Sequence, residues 1–129
     1  MGTEENKAVV RRFMHDVIAG GNVDVVEEVL APSYVNLALG GAGIDGVKAM
    51  LTATSSVEQR VDDEELVAEG DAVFARFNHT VTLPDGSTSN SRALAYYRLA
   101  DGKIVVNDVM FDPNLMEVLG PLMAAPPGE

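Results

Sequence analysis

The chain contains no cysteine. That excludes a disulfide framework, a thiol nucleophile and a cysteine-based metal site. Histidine is nearly as scarce: His15 and His79 are the two in the chain and lie 64 residues apart. A His-rich metal centre is therefore not expected. Basic residues are few, with 9 against 20 acids and a formal charge of -11. Such a balance repels phosphate backbones and anionic lipid, which argues against nucleic acid or a membrane as partner. No apolar run approaches the ~20 residues that a membrane-spanning helix needs. The opening "MGTEENKAVV" lacks the basic-then-apolar layout of a secretory leader, so a cytoplasmic location is expected. A Gly-rich phosphate loop and a serine nucleophile elbow are also missing.

What remains is an ordinary globular composition in 129 residues, enough for one domain with a proper core. The first half reads as helices. In "TEENKAVVRRFMHDVIAGG", Val10, Phe13, Met14 and Val17 recur at helical spacing, and Gly20-Gly21 supplies the stop. Asn22 is placed to cap a second, shorter helix, "VDVVEEVLA", which Pro32 ends. "YVNLAL" is a short extended piece before the loop "GGAG". Asp45 is placed to cap a third helix with Val47, Met50 and Leu51 on its inner stripe.

From about residue 57 the pattern changes to strands. "VEQRVDDEELVAEG" alternates loosely, "AVFARFNHTVTL" alternates strongly, and "PDG" is a hairpin signal. "SNSRALAYYRLA", a "DG" turn and "KIVVNDVMF" follow. Helices followed by an antiparallel sheet predict an α+β fold. The end reads as one short helix and a Pro-rich tail over about 121–129.

The segments "ENKAVVRRFMHDVIAGGNVDVVEEVLAPSYVN", "GIDGVKAML", "AEGDAVFARF" and "DGKIVVNDVMFDPNLMEVLG" together resemble the SnoaL-like polyketide cyclase family, within the nuclear transport factor 2-like superfamily. The likeness covers nearly the whole chain as a single domain. It implies a cone-shaped, curved antiparallel sheet of about four to six strands packed on three N-terminal helices and enclosing a pocket, usually in a homodimer. The superfamily includes cyclases, isomerases, dehydratases, epoxide hydrolases and non-enzymatic binding domains, so the fold does not deliver the function.

Period-two alternation divides the last strand into one face with Val105, Asn107, Val109 and Phe111 and another with Val106, Asp108 and Met110. SnoaL-like relatives often carry a His and an Asp on the cavity side here. The matching positions hold Asn107 and Val109, so the usual carboxylate is replaced. Asp108 is one residue out of phase and would face the pocket only through a bulge. Asp112, in "DPNLMEVLG", reads as a helix cap.

His79 shares the phase of Ala75, Phe77 and Val81, which the resemblance places on the pocket side. An imidazole there is a candidate general acid or base, or else a structural histidine satisfied by a carbonyl or water. Phe77 would help to desolvate it. Tyr34 and Asn36 form a Tyr-x-Asn triplet that resembles limonene epoxide hydrolases, where the pair helps to hold the attacking water. In that comparison Val109 replaces the water-activating Asp and Phe77 the companion Arg. Tyr97 faces inward with Ala93 and Ala95 and could donate to an oxyanion. His15 is a surface residue. The acid run at 62–65 reads as an exposed strand face, with a cation site as the alternative. The methionines at 50, 110, 116 and 123 read as core and lid packing.

The candidate site is therefore His79, Asn107 and Asp108 as catalytic groups, with Tyr34, Asn36, Phe77, Tyr97, Val109 and Phe111 against the substrate. It needs no cofactor or metal. A small apolar, oxygenated metabolite such as a polyketide is the expected partner, in a cyclase, isomerase or dehydratase type of reaction. A non-catalytic binding protein and a limonene-type epoxide hydrolase are the alternatives.

Overall fold

The computed structural model describes residues 2–124. Helix α1 (Thr3–Arg12) passes without a break into a π-helical segment, Phe13–Ala19. The predicted stripe is inside: Val10, Phe13, Met14 and Val17 are all buried. Wider π-turns are rare and collect at functional sites; this one carries Phe13 and Ile18, which both reach the cavity described below. The helix stops where Gly21 takes φ 65°, a conformation that costs glycine little. Asn22 then caps the next turn as expected, its side chain accepting from the Asp24 amide at 3.1 Å.

A short helical turn and α2 (Val26–Val29) lead into β1 (Leu30–Asn36). Pro32 lies inside this strand rather than only ending the helix. It is tolerated because β1 is a sheet edge, where a missing N–H breaks no ladder. Helix α3 (Ile44–Ala53) begins after Gly43, so Asp45 sits in its first turn and is not its cap. The chain then runs through β2 (Glu58–Glu69), β3 (Ala72–Thr82), β4 (Thr88–Ala100) and β5 (Lys103–Phe111), and ends in α4 (Asn114–Ala124).

The five strands form one sheet in the order β1-β5-β4-β3-β2. The expected wholly antiparallel sheet is corrected at one edge, because β1 pairs with β5 in parallel. Strand β1 precedes the meander, and the crossover through α3 and three hairpins brings β5 back beside it in the same direction. Strand count and the α+β class agree with the sequence pattern. Residues 121–124, assigned to a tail, continue α4; residues 125–129 lie outside the described residues.

Besides an irregular stretch of β1 between Leu30 and Val35, two bulges shift the facing within the meander. In β2 the register slips between Asp62 and Glu65, with Asp63 at φ 54°. The slip allows Val61 and Leu66, an odd number apart, both to face the core. In β5 it slips between Ile104 and Val106. Ile104 therefore joins Asn107 on the buried face and Val105 does not, contrary to the simple period-two reading. Strand β4 has no such defect within 88–98 and alternates cleanly.

One sheet face packs on the helices. Phe13 sits between Tyr34 and Tyr97, with ring centroids at 6.5 and 6.1 Å. The opposite face carries Val67, Phe74, Leu94 and Met110, all large, apolar and exposed. Met110 is thus neither core nor lid. Among the described residues no helix is long and apolar enough to cross a membrane.

Candidate active site

A cavity of about 100 Å³ opens between the inner sheet face, the π-segment, α3 and α4. Of the residues expected there, Asn36, Phe77 and His79 line it, as do Tyr97, Asn107, Val109 and Phe111. No Asp, Glu, Lys or Arg is among its lining residues. The rest of the wall is mainly apolar, with Phe13, Ile18 and Met50 on one side and Leu115, Leu119 and Met123 of α4 on another.

Two expected members are placed elsewhere. Asp108 is exposed and pairs with Tyr96 on the outer face, because the β5 bulge lies before Asn107 and leaves the following phase unchanged. Tyr34 is fully buried behind the cavity wall. Its hydroxyl accepts a hydrogen bond from Asn107 Nδ2 at 3.2 Å. Burial raises the Tyr34 pKa, and the Asn107 and Asn36 amides oppose that rise. Tyr34 is therefore a neutral prop for Asn107 rather than a surface offered to a ligand.

That prop commits one end of the Asn107 amide. Asn107 Oδ1 is buried with no hydrogen-bond partner. An unpaired buried acceptor costs about 1–3 kcal/mol. Tyr97, directly across β4 from Asn107, is also buried. Its pKa is raised by burial first and by Tyr34 second, so the phenol stays protonated. A neutral donor and a neutral acceptor thus share one end of the cavity. Asn36 is closer to a structural part, since its Oδ1 accepts from the Ala38 amide at 3.0 Å.

His79 lies at the other end. It pairs with Ser91, whereas Asn107 pairs with Tyr97, six residues further along β4. Six extended residues span roughly 20 Å along a strand, so the two groups address different parts of a ligand. His79 is 6% exposed, and burial pushes its pKa down to about 4. The ring is neutral at physiological pH and able to accept a proton. Its Nε2 lies 2.8 Å from Gln59 Oε1.

Sequence reasoning missed Gln59 and Thr54, which both line the cavity. Gln59 shares the phase of Val61, and that in-phase amide was the available signal. The β2 bulge obscured it. The acid run at 62–65 is fully engaged: Asp62 pairs with Arg60, Asp63 accepts from Asn78, Glu64 meets His15 and Arg11, and Glu65 meets Arg76. No cluster with metal-ligand potential occurs among the described residues. Asp112 does not cap α4 with its side chain; its carboxylate accepts from the Arg92 amide at 3.0 Å and extends the β4–β5 pairing by one residue.

Residues 10–107 match the family model of the SnoaL-like domain. Among solved structures, a protein named as a SnoaL-like polyketide cyclase from Jannaschia sp. CCS1 is 21% identical, with TM-score 0.70 over 97% of this chain and 95% of its own. TsrD from Streptomyces laurentii is 19% identical, with TM-score 0.74 over 93% and 98%. An LEH-like epoxide hydrolase from M. tuberculosis is also 19% identical, with TM-score 0.75 over 93% and 96%. At these identities the likeness concerns the fold. No curated protein matches the sequence.

Proposed function

The chain belongs to the SnoaL-like domain family, and from that premise we propose that it is a cofactor-free enzyme acting on a small, apolar, oxygenated metabolite of polyketide type. The observation that carries this reading is the buried imidazole of His79, neutral near pH 7, in a cavity whose lining residues include no Asp, Glu, Lys or Arg. A desolvated neutral imidazole accepts a proton from carbon or oxygen and can return it to another atom of the same ligand. Tyr97 and Asn107 would hold a hydroxyl, enol or carbonyl at the far end of the ligand, the phenol donating and the amide oxygen accepting. Ring closure, isomerisation and dehydration need little more than such positioning and one proton relay.

A second reading is a binding protein that does not transform its ligand, and the missing carboxylate favours it. The epoxide hydrolase reading ranks below both. The lining residues include no carboxylate to activate a water, and the Tyr34 hydroxyl is already bonded to Asn107.

The exposed Val67, Phe74, Leu94 and Met110 supply the apolar surface that a homodimer would cover.

The test of catalysis is turnover of an aromatic polyketide-type substrate by wild type and His79→Ala. The expected loss is at least about a hundredfold, measured below the variant's own unfolding temperature. Undiminished turnover in the variant rejects His79 as the proton carrier, and binding without product formation by wild type favours the second reading.

A further inference from the structure

The contacts of His79 continue beyond Gln59 in a chain whose direction can be worked out. Thr54 terminates α3 and is 3% exposed. Its Oγ1 donates to the Met50 carbonyl at 2.9 Å, since a carbonyl can only accept. With its proton committed, Thr54 Oγ1 acts as acceptor toward Gln59 Nε2, 3.3 Å away. This fixes the Gln59 side chain with its NH₂ toward α3 and its Oε1 toward β3. Amide oxygen carries no proton, so the 2.8 Å contact with His79 requires the proton to be on Nε2. In a neutral imidazole the other nitrogen, Nδ1, then holds a lone pair.

The arrangement follows from the fold. Gln59 and Val61 are adjacent inward positions of β2; Val61 pairs directly with His79, which makes Gln59 its diagonal cross-strand neighbour. The relay therefore links the C-terminal end of α3 to β2 and β3 within the cavity wall.

We propose that Gln59 and Thr54 are positioning residues that hold His79 as its Nε2–H tautomer, leaving Nδ1 as the basic nitrogen. This rests on the reading of His79 as the proton carrier, and it adds which nitrogen accepts the proton and what fixes that choice. Among the described residues Nδ1 has no hydrogen-bond partner. If the Gln59 amide were turned, its NH₂ would face Nε2, make that nitrogen an acceptor and put the proton on Nδ1. Thr54 opposes this rotation.

The experiment is a long-range ¹H–¹⁵N correlation of the imidazole rings in labelled protein at pH 8. The chain has two histidines, and His79→Ala identifies the signals. Wild type should show His79 protonated at Nε2 and unprotonated at Nδ1. Thr54→Val frees the amide to rotate, and a share of Nδ1–H should appear. Adding Gln59→Glu to Thr54→Val places an acceptor-only group beside Nε2 and should restore the proton there. A wild-type ring protonated at Nδ1 overturns the proposal without any variant, and so does a Thr54→Val spectrum identical to wild type. These readouts need no substrate. If they come out as stated while His79→Ala retains turnover, the catalytic reading fails and the tautomer assignment stands.

Discussion

Acid should destabilise this protein through one residue in a defined window. His79 has a folded pKa of about 4 against 6.5 for the free side chain, because burial disfavours its charged form. Between these values the unfolded chain binds a proton that the folded chain refuses. Stability therefore rises with pH in this interval: the contribution is complete above the unfolded value and is lost as pH falls from 6.5 toward 4. At about 1.4 kcal/mol per pH unit, the loss between pH 7.5 and 4.5 is on the order of 2 to 3 kcal/mol. No solvent discount applies to a ring that is 6% exposed. The assay is urea unfolding of wild type and His79→Gln at four pH values across this range. Exposed carboxylates such as Glu4, Glu27 and Asp85, whose pKa values are lowered by Lys7, Lys48 and Ser87 respectively, titrate in both proteins and cancel in the difference. Wild type should lose stability more steeply than the variant below pH 6.5. Parallel curves would refute a buried neutral His79.

Two further outcomes test the surroundings of the site. Tyr34→Phe removes the acceptor of Asn107 Nδ2 and leaves that amide group unpaired, which should cost about 1–3 kcal/mol in chemical denaturation; an unchanged midpoint means the bond contributes nothing. Leu94→Lys combined with Met110→Lys places two charges at paired positions of the apolar outer face. Sedimentation should show wild type as a dimer and the double variant as a monomer, and a monomeric wild type would reject this face as an interface.

The strands and their phases were legible because β3 and β4 pair without a bulge from Ala72 to Thr82 and from Thr88 to Arg98, although Thr80 is buried out of phase. That put Phe77 and His79 in one phase of β3 and Tyr97 in one phase of β4, and the family resemblance said which phase faces the pocket. The parallel seam between β1 and β5 was not legible, since nothing local to either strand records the direction of a partner some seventy residues away. Nor were the bulges at Asp63 and Val105, where a single slipped residue changes facing without a glycine to mark it. Asp112 misled for a related reason. An Asp-Pro pair before an amphipathic turn resembles a helix start, yet the carboxylate is taken by the Arg92 amide. The hydrogen bonds that orient Gln59 and Asn107 depend on tertiary neighbours, Thr54 and Tyr34, that the linear order separates.

The most direct test of the site is an NMR titration that follows the methionine methyl groups and the His79 ring nitrogens as 1-naphthol is added, with its methyl ether as control. Met50, Met116 and Met123 line the cavity, whereas Met110 is on the opposite face of the sheet. The expected result is that naphthol shifts the three cavity methyls and His79, leaves Met110 in place, and binds more tightly than the ether that has no proton to donate. Shifts confined to Met110, or a His79 signal indifferent to a ligand that fills the cavity, would contradict the claim that this imidazole is where the chemistry occurs.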